Sequence, residues 1–155
     1  MIGRVQGGAG VVEKVHRGVG VAAPVGEAAH PGVRGLGRQG VVEDLRRRDF
    51  TINAMFEGPL SGEIIDYVGG RADLAAGVLR AVGDPRARFA EDRLRMIRAV
   101  RFATRFGFAI DPPTLAAVRA EPDRLAIVSA ERIGEEIVRI LTDGSAKAGF
   151  ELLDE

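Results

Sequence analysis

The chain has 155 residues, enough for one domain or one and a half small ones. Its 22 Lys+Arg balance 22 Asp+Glu, so bulk charge argues for no polyanionic partner and any nucleic-acid contact must rest on local clusters. The absence of Cys excludes disulfides and thiolate metal sites, and no apolar run approaches the roughly 18 residues of a membrane helix.

Residues 1–42 hold eleven of the 21 glycines and no aromatic residue, and no apolar period persists through them. On composition this segment is poorly ordered or loosely packed. Gly18–Glu27 has the makings of a short strand and turn. Gly7-Gly8-Ala9-Gly10 is a weak phosphate-loop match, since no G-x-x-x-x-G-K-[ST] is present. Without a continuous apolar stretch the N-terminus reads as no signal peptide, and a cytoplasmic protein is the expectation.

The patterning changes abruptly at Glu43. From there to Met55 a charged helical turn leads into an apolar segment. Arg46-Arg47-Arg48 before Asp49 is either a triphosphate clamp or a basic run at a helix end. Met55–Phe56 and Ile64–Tyr67 flank a Gly/Pro/Ser-rich connection, which predicts a β-hairpin. Gly69-Gly70 breaks the second strand, Arg71–Ala76 makes a short helix and Val78–Val82 another strand.

Asp84 to Gly107 predicts one central helix, with Asp84 as N-cap, Pro85 at the first helical position and Gly107 as the stop. At about 100° per residue, Met96, Ala99, Val100, Ala103 and Phe106 share one arc. Arg95, Arg98, Arg101 and Arg105 share the other, with Asp92 about 60° from Arg95. The stripe is either a solvated face or a set of planar donors for phosphates and base edges, with an acceptor and a donor side by side at Asp92 and Arg95. Phe108–Asp111 reads as a linker, and Asp111-Pro112 starts a helix to about Ala120. Ser129 caps another through about Thr142, with Ile133, Ile137, Ile140 and Leu141 on one side. Ser145 starts a last helix carrying Phe150, Leu152 and Leu153, whose apolar face has few partners before Glu155, which suggests truncation.

Four blocks, RRDFTINA (Arg47–Ala54), DYVGGRADL (Asp66–Leu74), EDRLRMIRAVRFATRFGF (Glu91–Phe108) and SAERIGEE (Ser129–Glu136), resemble the bacterial class II tRNA nucleotidyltransferase/poly(A) polymerase family in order and spacing. The resemblance covers about residues 43–155. It implies an α+β fold: the C-terminal part of a nucleotidyltransferase head, with a small antiparallel β unit at 43–84, followed by an α-helical neck at 85–155. The family adds C, C and A, or only A, to a tRNA or other RNA 3′ end from CTP and ATP with Mg²⁺. Carried over to these residues, Arg48 contacts the nucleotide's phosphates or ribose, with Asp49 and Asn53 completing that block. Asp92 and Arg95 read the base edge, and Arg98 and Arg101 support the pocket and its phosphates. Asp66, Gly69 and Gly70 match a flexible element between head and neck, or form only a turn. Ser129–Glu136 match a block that stabilises the neck, and Ile133–Leu141 are alternatively only core.

The family also begins with a Gly-Gly-x-x-Arg-Asp segment and a D-x-D pair that holds two Mg²⁺ ions. Before Glu43 the only carboxylates are Glu13 and Glu27, so the metals have no ligands here. The change near residue 42 suggests an out-of-frame or mis-started translation of a GC-rich gene, which translation of the neighbouring frames tests. The expectation is a base-selecting portion without transferase activity of its own. A non-catalytic NTP- or RNA-binding module and a folding-incompetent remnant are the alternatives.

Overall fold

The computed structural model describes residues 43–57, 64–143 and 146–154; residues 1–42, most of the predicted hairpin connection and Ser145 lie outside that set. A helical turn at residues 43–46 closes as Arg47 N and Arg48 N donate to Asp44 O and Leu45 O, both at 3.1 Å. A short 3₁₀ turn, Thr51–Asn53, then leads into β1 (Met55–Glu57). β1 pairs antiparallel with β2 (Ile64–Asp66), Phe56 opposite Ile65, as the hairpin pattern predicts. Leu45, Ala54, Phe56 and Val82 bury one small core beneath this pair.

Asp66 ends β2 and starts α1 (Gly70–Ala76). Its Oδ1 accepts from the amides of Val68, Gly69 and Gly70 at 3.0, 2.9 and 3.1 Å, and its Oδ2 from Arg71 N at 2.9 Å. Partial burial works to raise the Asp66 carboxyl, but the four amides outweigh it and hold the group below the ordinary carboxylate value. The two glycines have separate causes. Gly69 sits at φ +83°, and a Cβ on Gly70 would lie 2.2 Å from Thr51 O.

β3 (Val78–Leu79) is shorter than the predicted Val78–Val82, because Ala81 turns away to bridge Phe50 antiparallel. The predicted linker Phe108–Asp111 instead supplies β4 (Ala109–Ile110), which runs parallel to β3. Ala109 N donates to Gly77 O at 2.9 Å and Asp111 N to Leu79 O at 3.0 Å. Linker backbone beside an open strand edge satisfies its own amides by pairing.

Between these strands lies a second correction. The run from Asp84 to Gly107 is two helices, α2 (Pro85–Glu91) and α3 (Leu94–Phe106). Its ends are as predicted: Asp84 Oδ1 accepts from Arg86 N at 2.8 Å, and Gly107 takes φ +68°. The middle is not. Asp92 adopts φ −149°, ψ 107°, and its Oδ1 accepts from Leu94 N at 3.1 Å. The short carboxylate competes with the helical ladder and opens a new helix two residues on.

α4 (Pro112–Ala120) is capped by Asp111, as predicted, and a 3₁₀ segment, Pro122–Ile127, leads to α5 (Ala130–Thr142) and α6 (Ala146–Asp154). α3 is the hub of the molecule. Phe50, Leu79, Phe89, Met96 and Phe102 form the core on one side, and Leu94, Ile97 and Val100 meet Ile140 of α5 on the other. Ile133 and Ile137 join that second cluster, but Leu141 is 52% exposed, contrary to its predicted place among them. The architecture is therefore the expected α+β one, a small antiparallel sheet followed by packed helices, with an added parallel strand pair. Among the described residues no helix is long and apolar enough to cross a membrane.

Candidate nucleotide cleft

Asp49, six residues after the start of the first helical turn, organises the cleft floor. It is 7% exposed, and its Oδ2 accepts from both Nε and Nη2 of Arg98, at 2.9 and 2.6 Å. Its Oδ1 accepts from Phe50 N at 2.8 Å and from Asn53 Nδ2 at 3.1 Å. Its carbonyl takes Val82 N at 3.0 Å. One residue thus fixes the 3₁₀ turn, the strand beside it and the guanidinium from α3. Arg48 stands at the rim, 2.9 Å from Asp44.

Above this floor opens a cleft of about 360 Å³, within the range of small-ligand sites. Six of the seven predicted site residues line it: Arg48, Asp49, Asn53, Asp92, Arg95 and Arg98. Arg47, Leu94, Phe102 and Arg132 complete the wall. The break between α2 and α3 turns Asp92 toward α5, where Arg132 Nη2 donates to its Oδ2 at 2.8 Å. Partial burial raises the Asp92 carboxyl, yet the bonds from Arg132 and Leu94 N and the charges of Arg132 and Arg95 hold it below its ordinary value. Asp92 is a pure acceptor near neutral pH.

Arg95 points the other way. Its Nη1 donates to Arg88 O and to Glu91 Oε2, both at 2.9 Å, and its Nη2 to Arg47 O at 3.0 Å. Among the described residues no ion pair joins Asp92 to Arg95, although they are three residues apart in the chain. An acceptor and a planar donor therefore face one cavity without closing on each other.

Arg101 is the exception among the predicted residues. It does not line the cleft but is buried behind it, its Nε 2.6 Å from Glu136 Oε2 and its guanidinium 4.1 Å from the Phe102 ring centre. The N–H is not aimed at that oxygen, so this is a close ionic contact rather than a directed hydrogen bond. Burial pulls the Arg101 guanidinium below its usual range, and Glu136 works against that. Arg139 Nη1 also reaches Glu136, at 2.6 Å, and Arg98 Nη1 lies 3.7 Å away. The resemblance carried Arg101 over as a support of the pocket, and helical periodicity, which makes the four arginines look alike, carries no information about α5. Arg132 escaped the site assignment for the same reason: its partner lies 40 residues upstream.

The donor set does not fit Mg²⁺. Asp49 and Asp92 are the two carboxylates in the cleft lining, and Asp49 already accepts from Arg98, Phe50 and Asn53. A divalent cation needs several converging oxygens, and no group of three or more acidic or His side chains that could hold one gathers among the described residues.

Comparison with known proteins agrees with this layout. Residues 25–80 match the family described as the poly A polymerase head domain, and residues 107–155 match the probable RNA and SrmB-binding site of polymerase A. The head match begins at residue 25, further toward the N-terminus than the Glu43 boundary drawn from composition. A CCA-adding enzyme of Levilactobacillus brevis is 46% identical over 110 residues, which is 71% of this chain and 28% of that protein. The Bacillus subtilis CCA-adding enzyme is 43% identical over 111 residues, 72% of this chain and 28% of that protein. The structure of the Bacillus stearothermophilus CCA-adding enzyme in complex with CTP superposes with a TM-score of 0.70 at 42% identity, over 73% of this chain and 28% of that one. The Thermotoga maritima CCA-adding enzyme, solved with tRNA, gives a TM-score of 0.67 at 34% identity, over 74% and 28% of the two chains. The chain spans little more than a quarter of the length of these relatives. With both regional matches in order and a shared fold, it belongs to the tRNA nucleotidyltransferase/poly(A) polymerase family, of which it is a partial chain.

Proposed function

We propose that this chain is the nucleotide-selecting portion of a template-independent RNA nucleotidyltransferase. The whole protein would be cytoplasmic and add CMP and AMP from CTP and ATP to a tRNA-type 3′ end. The observation that carries the reading is the open juxtaposition of Asp92 and Arg95 on one wall of the cleft. Cytosine and adenine both present an exocyclic amine beside a ring-nitrogen acceptor, whereas uracil and guanine carry a carbonyl at the amine's place. Asp92 accepts from the amine and Arg95 donates to the ring nitrogen. Arg48 and Arg98 supply positive charge for the phosphates, Arg98 being held on Asp49, to which Asn53 also donates. Relatives solved with CTP and with ATP support this choice of ligands.

The sequence contains no D-x-D pair, so the reading assigns to this portion the binding of nucleotide and not its transfer. Binding of CTP and ATP to the 155-residue chain, followed by titration calorimetry, tests the reading. Asp92→Ala and Arg95→Ala should each weaken binding about tenfold, the scale of one lost charge-assisted hydrogen bond. Unchanged affinity in both variants refutes it.

A further inference from the structure

Adjacent opposite charges ordinarily neutralise each other. Asp92 and Arg95 are joined by backbone, Arg95 N donating to Asp92 O at 3.1 Å, yet their side chains part. Glu91 and two carbonyls draw Arg95 to one side. On the other side, among the described residues, the only side chain bonded to Asp92 is Arg132. Arg132 reaches it from the first turn of α5, whose Ile133 and Ile137 pack on the cluster of Leu94, Ile97 and Val100. The docking of α5 on α3 is therefore what brings this guanidinium to the cleft.

We infer that Arg132 is a positioning residue for base selection: it holds the Asp92 carboxylate away from Arg95, so that acceptor and donor stay open to the base. The inference rests on the nucleotide reading above and extends it to a residue on the helical unit. A carboxylate has about four lone-pair directions. Leu94 N and Arg132 take one on each oxygen, which leaves room for an incoming amine without displacing either. Without Arg132 the other cation whose charge acts on Asp92 is Arg95, and pairing with it would consume both base-reading groups together. Arg132 is half exposed, so its loss does not open a core. A base carrying a carbonyl gains nothing from a well-aimed Asp92. The consequence is a change in discrimination rather than a uniform loss of affinity.

The test is calorimetric titration of the 155-residue chain with CTP and with UTP, in the wild type, Arg132→Ala, Arg132→Lys, Asp92→Ala and the Arg132→Ala/Asp92→Ala double variant. The expected result is a fall of about fivefold in the CTP-over-UTP ratio for Arg132→Ala, the upper end for a half-exposed ion pair. Arg132→Lys should recover part of it, and Arg132→Ala should have no further effect once Asp92 is gone. A wild-type chain that binds no CTP, or an Asp92→Ala variant that binds it normally, overturns the nucleotide reading itself. An Asp92→Ala variant that loses CTP while Arg132→Ala keeps the wild-type ratio overturns only the role of Arg132. Tighter CTP binding by Arg132→Ala does so too, since Arg132 would then be a competitor for the carboxylate. Thermal melting of each variant by circular dichroism checks folding, and should Arg132→Ala melt early, Arg132→Lys carries the comparison.

Discussion

Replacing Glu136 by Gln should cost this fold more than any surface ion pair. Glu136 is 1% exposed and sits among three guanidiniums, with Arg101 and Arg139 at 2.6 Å and Arg98 at 3.7 Å. Gln keeps the volume and removes the charge. Arg101, itself 6% exposed, is then left with a cation–π contact on Phe102 and with Arg98 as a neighbouring like charge. Breaking a buried pair from one side costs about 3–5 kcal/mol. At about 4 °C per kcal/mol for a domain near 100 residues, the melting temperature should fall by about 12 °C or more. Replacing Arg101 and Glu136 together by Leu should recover most of that loss, because Arg98 keeps Asp49, the half-exposed Arg139 keeps Glu135, and no buried charge is orphaned. Urea and thermal unfolding by circular dichroism measure both variants. A loss below about 1 kcal/mol for Glu136→Gln, or a double variant worse than the single one, would refute the placement of this charge in the interior.

Gly70→Ala should destabilise by about 1–3 kcal/mol in urea unfolding, since the added Cβ would lie 2.2 Å from Thr51 O. Gly69→Ala should also lose stability, through its φ of +83° rather than through a clash. Asp66 gives a pH dependence. Its folded carboxyl lies below the ordinary 3.8, so its contribution is fully present above that value and is lost as pH falls through the folded one. Asp66→Asn should accordingly flatten the acid limb of the urea midpoint below about pH 4, and an unchanged limb refutes the cradle of four amides. Finally, the isolated chain should incorporate no labelled AMP or CMP into tRNA lacking its CCA end, and measurable turnover would overturn the reading of this chain as binding nucleotide without transferring it.

What was legible in the sequence was what nearest neighbours decide. Asp84 before Pro85, Asp111 and Ser129 each act through amides two or three residues away, Gly107 through its own left-handed backbone, and each stands where the pattern predicts. The break at Asp92 is just as local, but no Gly or Pro marks it, and the caps at Asp84 and Gly107 read as the two ends of one helix. The parallel pairing of Ala109–Ile110 with Val78–Leu79 joins residues 31 positions apart, and no turn signal marks it. The same limit misplaced Arg101. Four arginines in helical spacing look equivalent until α5 arrives with one buried carboxylate that draws a single one of them inward. The cleft was legible largely through the four recognised blocks, and its missed member, Arg132, stood inside one of them as an ordinary charged residue.

The seam between β3 and β4 has a mechanical meaning. Val78–Leu79 falls in the stretch matching the head domain, and Ala109–Ile110 in the stretch matching the RNA-binding region. Two stretches recognised as separate families are thus stitched backbone to backbone, with α2 and α3 forming the loop of thread between the stitches. A boundary drawn there on paper is no swivel, and a scissor cut anywhere between them would strip both stumps of a partner strand.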